Sequence, residues 1–284
     1  MIMDLSVVIV NYKTRDRLRA CLLSVFASQT RFRFEVRVVD NDSRDGSVEM
    51  VHEQFPRVKL LENQSNLGYA KANNQAIRKA NSRYVLLLNP DVEVEPETFE
   101  KIVAYADANP GVGICGCRIL KPDGTLDKAS RRSFPNLANS FLYLVGGKSD
   151  YHLDLPDDQI AEVDSVVGAF MLVRREVIDK IGLLDEDFFM YGEDIDWCWR
   201  AKAAGFQVMY APVTTVKHHK GSSSRKAPER ALYEFHRAMR IFYDKHYRKD
   251  HNFLVNFLVS AGIWTRYVLK VFLNSFRKEK YVSK

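Results

Sequence analysis

The sequence predicts an α/β fold with a mostly parallel mixed sheet flanked by helices, and three observations lead there. Short apolar runs bounded by turn residues recur through the first 120 positions, and segments of helical periodicity alternate with them. The composition, 46% hydrophobic and 27% charged over 284 residues, supports one sizeable core with an appendage and excludes a disordered chain. Strands alternating with helices imply crossover connections, with helices covering both faces of the sheet.

Leu5–Val10 is a continuous apolar run and predicts a buried first strand. Thr14–Gln29 fits an amphipathic helix with Leu18, Leu22, Val25 and Phe26 on one face. FEVRVVD predicts a strand ending at Asp40, Ser47–Gln54 a short helix, VKLLE a third strand and GYAKANNQAIRKA a helix. YVLLLNP predicts a fourth strand, Pro96–Ala108 a helix with Pro96 and Glu97 in its first turn, and GVGICGCRIL a fifth strand. The second half is less regular. It holds a double arginine, Arg131-Arg132, expected to be a solvated pair, with a clamp on diphosphate or acceptor as the alternative, and an apolar helix candidate around Leu137–Val145. SVVGAFMLVRREVI predicts a strand then a helix, and Asp194–Ala204 a helix ended by Gly205, with Ile195, Cys198 and Trp199 on its buried face. FQVMYAP and TTVKHH predict strands, and Arg230–Tyr247 and Phe253–Phe276 predict helices. These elements divide the chain into a catalytic domain over 1–225, with halves 1–120 and 121–225, and a basic amphipathic helical tail over 226–284.

The net charge of +6 is unevenly spread: residues 229–284 hold 12 Lys and Arg against 5 Asp and Glu, a net of +7, leaving about −1 for the rest. A near-neutral body argues against a nucleic-acid partner. A basic, aromatic tail points to an anionic membrane surface, or to packing on the body or in a homodimer. The cysteines, Cys21, Cys115, Cys117 and Cys198, have neither metal spacing nor a disulfide framework. Reduced, cytosolic thiols are expected. MIMDLSVVIV lacks a basic leader, and no run of ~18 apolar residues predicts a membrane span.

In parallel sheets, ligands bind beyond the carboxyl ends of the strands. Those ends hold Asn11-Tyr12, Asp40-Asn41-Asp42-Ser43 and Asn89-Pro90-Asp91. No glycine-rich phosphate loop follows the first strand, so a bound phosphate would be held by a metal or by basic side chains. Asp91 with His218 or His219 offers oxygen and imidazole ligands suited to Mg2+ or Mn2+ on a diphosphate. Asp40 and Asp42 could accept hydrogen bonds from a base or ribose.

Six stretches in order, VVIVNYKTRDRLRACLLSV, VVDNDSRDGS, NLGYAKANNQAI, LLLNPDVEV, VVGAFMLVRREV and YGEDIDWCWRAKAAGF, resemble the motifs of family 2 glycosyltransferases over about residues 4–222. Within that family the run looks most like bacterial rhamnosyltransferases of cell-surface polysaccharide synthesis. The resemblance implies a GT-A fold and inverting transfer of a sugar from a nucleoside diphosphate, with dTDP-rhamnose as expected donor and a UDP-hexose as the alternative. It places Asn11, Tyr12 and Asp40 at the nucleobase, Asp42 or Ser43 at the ribose, and Asn66, Gly68 and Lys71 near the nucleotide. Asn89 takes the place of the first acid of a family Asp-x-Asp, and Asp91 would hold the metal. Gly168 and Ala169 would lie beside the donor sugar.

Glu193, Asp194 and Asp196 crowd a helix start, where acids also serve as caps and dipole partners. The resemblance implies that the Glu-Asp pair supplies the catalytic base, and Asp194 is the choice. Glu193 or Asp196 would orient acceptor or sugar, and Trp197 could stack on a sugar. The expected acceptor is a lipid-linked saccharide, met on the inner face of the cytoplasmic membrane. A non-catalytic membrane-docking adaptor with a sugar-nucleotide domain is the rival reading.

Overall fold

The computed structural model describes residues 3–135, 153–219 and 228–276, and the helix candidate around Leu137–Val145 lies outside them. At the centre is β1 (Met3–Asn11), whose side chains alternate between two cores. Leu5, Val7 and Ile9 join the helix α1 (Arg15–Phe26) on one face. Val8 and Val10 join α3 (Tyr69–Lys79) on the other. Helical cover on both faces explains why the strand is apolar throughout rather than alternating. β2 (Phe34–Asp40) and β4 (Ser82–Leu88) flank β1 in parallel, and β3 (Lys59–Glu62) continues beyond β2, with α2 (Ser47–Gln54) between them in sequence.

Beyond β4 the sheet continues with mixed directions, through β8 (Phe170–Arg174), β6 (Val112–Leu120), β9 (Gln207–His218) and β5 (Val92–Val94), giving the order β3-β2-β1-β4-β8-β6-β9-β5. β8 runs antiparallel to both β4 and β6. β9 runs parallel to β6, while β5 and β7 (Ala161–Glu162) pair antiparallel to β9. The sequence suggests two strands where β9 is one. Pro212 falls at a register shift against β6, where a residue without an N–H is tolerated. β5 has no signal of its own: three residues make a strand only because β9 lies alongside. α4 (Thr98–Ala108) and α5 (Arg175–Ile181) complete the cover. All four cysteines are buried thiols.

α6 (Glu193–Ala203) is packed on two sides, with Trp197, Cys198 and Ala201 fully buried towards the sheet. Ile195 and Trp199, expected on the core-facing side, are half-buried and face the helix α7 (Pro228–His246). Trp199 meets Phe242, His246 and Tyr247 at ring separations of 5.8, 4.8 and 5.4 Å. α7 therefore packs as part of the body, and among the described residues the exposed apolar surface expected of a tail is concentrated on α8 (Phe253–Ser275).

Asp196 joins α6 to α7. Its carboxylate is fully buried and accepts from Arg200 at 2.8 Å, Lys245 at 2.6 Å and His246 at 2.9 Å. Burial alone would push the carboxyl up; the His246 hydrogen bond and the charges of Arg200 and Lys245 overcome it and bring it down to about 2. The expected acceptor- or sugar-orienting role for Asp196 is thus corrected: all its partners are structural cations. A carboxyl lowered in the folded state stabilises above its unfolded value and loses that contribution as pH falls. Asp196→Asn should cost at most ~3–5 kcal/mol, nearer the lower bound because Lys245 and Arg200 keep some access to water. In urea melts the wild-type advantage should hold at pH 7 and shrink as pH falls from about 3.8 to about 2.

Candidate active site

The ends of β1 and β2 form one braced corner. The Asn11 amide donates to Asp40 Oδ1 and to Ser43 Oγ, both at 2.9 Å, and accepts from Thr14 Oγ1 at 2.7 Å. Ser43 N–H closes on Asp40 Oδ2 at 2.9 Å, and Lys13 N–H donates to Ser43 Oγ. Asn11, Asp40 and Ser43, expected to touch the nucleotide, are buried and hydrogen-bonded to one another. They build the corner, with Tyr12 and Asp42 half-buried beside it. Among the described residues, the non-glycine positions with positive φ are Lys13, Asp42, Arg44 and Tyr191. All lie in loops at this end, where strained backbone concentrates at functional sites.

Asn41 carries the next loop. Its Oδ1 accepts from Asn63 and from Leu67 N–H, while its amide donates to Asn66 Oδ1 and Gly68 O. Gly68 has φ +86°, and a Cβ there would meet Phe189 O at 2.4 Å. No side chain fits. This close approach lets Tyr69 N–H donate to Phe189 O at 2.6 Å and seats the start of α3 against the loop before α6. Lys71, expected near the nucleotide or its diphosphate, is exposed on α3, where its charge acts on Glu186.

Because β8 runs antiparallel to β4, its beginning lies beside the end of β4: Leu88 pairs with Phe170, and Asn89 N–H donates to Ala169 O at 3.0 Å. Gly168 and Ala169 therefore adjoin Asn89-Pro90-Asp91. On the other side, β5 pairs with β9 so that Val92 faces His218 and His219 N–H donates to Asp91 O at 2.8 Å. His218 Nε2 lies 3.1 Å from Asp91 Oδ1, and its Nδ1 3.8 Å from Asp127 Oδ2. Burial pulls the His218 imidazole's proton affinity down, but Asp127 and Asp91 outweigh it and leave it above the ordinary value. The sequence leaves His218 and His219 as alternative ligands. The structure separates them, for the His219 imidazole turns to Glu93 at 2.7 Å.

A divalent ion fits this corner in part. Asp91 and His218 supply adjacent oxygen and nitrogen donors, and Asp127 lies 3.8 Å behind the imidazole, on the side where a metal-bound histidine takes its second partner but beyond hydrogen-bond distance. Among the described residues no group of three or more such side chains converges. The remaining positions would fall to diphosphate oxygens and water, as is usual for Mg2+.

α6 brings the acids. Gly168 N–H and Arg132 both donate to Asp194 Oδ2, at 3.1 and 2.8 Å. Tyr69 OH donates to Gly168 O at 2.8 Å. The Tyr69 hydroxyl is held far above its usual range by burial and by the charges of Glu193, Asp194 and, more weakly, Asp91. That ties the two ends of the site together electrostatically. Glu193 is buried and, among the described residues, its Oε2 has no hydrogen-bond partner. Burial and the neighbouring Asp194 push it up to about 8, against the pull of Arg132.

Two further expectations are corrected. Trp197 is fully buried with its indole N–H on Gly182 O at 3.0 Å, so it is a core side chain and offers no sugar platform. Arg131 and Arg132 are buried, not solvated: Arg131 donates to the carbonyls of Leu153 and Pro156 and lies over Tyr210, and Arg132 holds Asp194. Sequence reasoning missed Asn41, Tyr69 and Asp127 as site residues, and considered Arg132 only as a clamp on diphosphate or acceptor, not as a partner of Asp194. Asn41 and Tyr69 stand inside motifs already singled out. Asp127 shows only a cap, its Oδ1 accepting from Ala129 N–H.

A carboxyl raised in the folded state binds its proton where the unfolded chain has released it, so stability falls as pH rises between the two values. Glu193→Gln removes that penalty. It should stabilise the protein by ~1–3 kcal/mol at pH 8, the scale of a buried unsatisfied group, with little effect at pH 4.5, read from thermal melts at both pH values.

Comparison with known proteins bears on the family and the fold. The family model described as glycosyl transferase family 2 matches residues 6–182. An N-acetylglucosaminyl-diphospho-decaprenol L-rhamnosyltransferase of Mycobacterium tuberculosis is 30% identical over 262 residues, covering 85% of each chain. The rhamnosyltransferase WbbL of Escherichia coli is 24% identical over 77% of this chain and 84% of its own. Among solved structures, a mannosyltransferase of Pyrobaculum calidifontis, in complex with GDP-Man and Mn2+, superposes with a TM-score of 0.60 at 16% identity, over 98% of this chain and 77% of its own. The architecture is thus the GT-A fold, and the chain belongs to glycosyltransferase family 2.

Proposed function

We propose that this glycosyltransferase moves L-rhamnose from dTDP-rhamnose, with inversion, to a lipid-linked saccharide. The observation that carries the reading is the meeting of Asp91–His218 and Asp194 at one end of the sheet, joined through Asn89–Ala169 and Gly168–Asp194 hydrogen bonds. Rhamnosyltransferase relatives, one named for a diphospho-decaprenol acceptor, support the choice of sugar and acceptor.

Asp91 and His218 would hold Mg2+ or Mn2+, which when bound supplies positive charge to the leaving diphosphate. Tyr12 and Asp42 would line the nucleoside site framed by Asn11, Asp40 and Ser43, with Gly168 and Ala169 beside the sugar. The acceptor oxygen attacks the anomeric carbon from the face opposite the diphosphate. Its bond to carbon forms as the carbon–oxygen bond to the nucleoside diphosphate breaks. Asp194 takes the hydroxyl proton.

A thermal-shift panel of sugar nucleotides, each with and without Mn2+, tests the donor. dTDP-rhamnose with Mn2+ should give the largest rise in Tm; a larger rise with a UDP-hexose would reassign the donor, and no response to any would favour an adaptor. Asp194→Asn should lower kcat at least 10^3-fold, the upper part of the range for general-base catalysis, and leave donor affinity within twofold. Full turnover by that variant would remove Asp194 from the role.

α8 supports membrane attachment. Phe253, Leu254, Phe257, Leu258, Leu269 and Phe272 are exposed at helical spacing, Phe253 to 84%. No described helix is long and apolar enough to cross a membrane. The charges of Arg266 and Lys270 act on His236 of α7, so the outward stripe is apolar and the basic side lies towards the body. That arrangement suits a helix lying in the interface. Deleting 252–284, with α7 retained, should abolish co-flotation with vesicles containing phosphatidylglycerol. Unchanged flotation would refute the attachment, and a change from dimer to monomer would assign the stripe to a second copy.

A further inference from the structure

Arg132 lies outside every regular element, yet its place is closely fixed. Its backbone makes a two-way bridge with Ser165, N–H to O at 3.0 Å and back at 2.9 Å. Its side chain is buried, and one guanidinium nitrogen donates both to Val166 O and to Asp194 Oδ2, at 2.8 Å each. The same carboxylate oxygen accepts from Gly168 N–H, and Asp194 Oδ1 accepts from Ile195 N–H. Asp194 is therefore held from three directions: the segment bearing Arg132, the turn before β8, and its own helix.

We propose that Arg132 is a positioning residue for sugar transfer: it fixes the Asp194 carboxylate against the Val166–Gly168 turn and keeps Asp194 and Glu193 in separate roles. The inference rests on the transferase reading above. The charge of Arg132 pulls the Glu193 carboxyl down. The acids that face Glu193 are Asp194 and Asp196 from its own helix, and Tyr69 reaches it from α3. Arg132 and Asp194 also act in opposite senses on the Cys198 thiol, one turn along α6. Without the guanidinium, two buried neighbouring carboxyls would face each other with no counter-charge, and such a pair shares a proton and titrates as a unit. Asp194 would then lose both its fixed rotamer and its distinction from Glu193. Lys keeps the charge and can donate more than one bond, but its flexible stem does not hold the donor in the fixed plane from which Arg132 reaches Val166 O and Asp194 Oδ2 together.

The test uses the full chain, comparing wild type, Arg132→Lys and Arg132→Gln. Three quantities are read: donor affinity by calorimetry with dTDP-rhamnose and Mn2+, kcat against pH, and Tm. Both variants should bind donor within twofold of wild type. kcat should fall at least tenfold in Arg132→Lys and further in Arg132→Gln, and the acidic inflection of kcat, where the base must have lost its proton, should move to higher pH in the same order. A residue serving only the fold would lower Tm without moving the profile, which would overturn the proposal. So would an unshifted profile with wild-type kcat, or lost donor affinity with kcat retained. Should Arg132→Gln fail to fold, Arg132→Lys decides by the same readouts. A wild-type protein that binds no nucleotide sugar would defeat the transferase reading itself, an outcome distinct from these.

Discussion

The antiparallel entry of β8 beside β4 is the constraint on which the rest of the site depends. Four parallel strands present their carboxyl ends on one edge, but a parallel β8 would begin at the opposite edge. By running back along β4 with Leu88 opposite Phe170, β8 puts Gly168 and Ala169 next to Asn89 and Asp91. The N-terminus of α6 then docks on Gly168 N–H through Asp194. β5 supplies the other half of the alignment, laying Asp91 against the end of β9 and so against His218. Chemistry drawn from residues more than a hundred positions apart is brought together by two short pairings.

Three acids in four positions would repel one another in a uniform environment. Here each meets a different one. Asp196, facing α7, is compensated by three cations and falls to about 2. Asp194 shares Arg132 and the Gly168 N–H. Glu193, buried and, among the described residues, without a hydrogen bond to Oε2, rises to about 8. The helix N-terminus favours negative charge for all three, so the differences come from tertiary partners and not from the helix. α7, which supplies Lys245 and His246, therefore belongs to the same electrostatic unit as the candidate active site.

Much of the parallel half was legible because its signals are local. Apolar runs such as Val85–Leu88 and the periodicity of α1 and α3 depend on neighbours a few positions away. The strand ends were legible as a place for the same reason, but the roles of their residues were not. Asn11, Asp40 and Ser43 look alike as ligand contacts or as a mutual brace, and only their distances show the brace. Trp197 and Trp199 sit two positions apart with similar prospects, and packing alone sent one to the core and the other to α7. Arg132 resembles any exposed cation until Ser165 fixes its backbone.

The sequence by itself determined the α/β class, the order of most elements, the six motifs of the family and the edge of the sheet at which to look. These follow from side-chain period, turn chemistry and composition, which act over short separations. Only the tertiary structure decided that His218 rather than His219 faces Asp91, that Asp196 clamps a helix, and that Arg132 reaches Asp194. Each of those depends on the path of a distant segment. The energy of a buried charge is set by which groups surround it in space, and neighbours along the chain do not fix those groups.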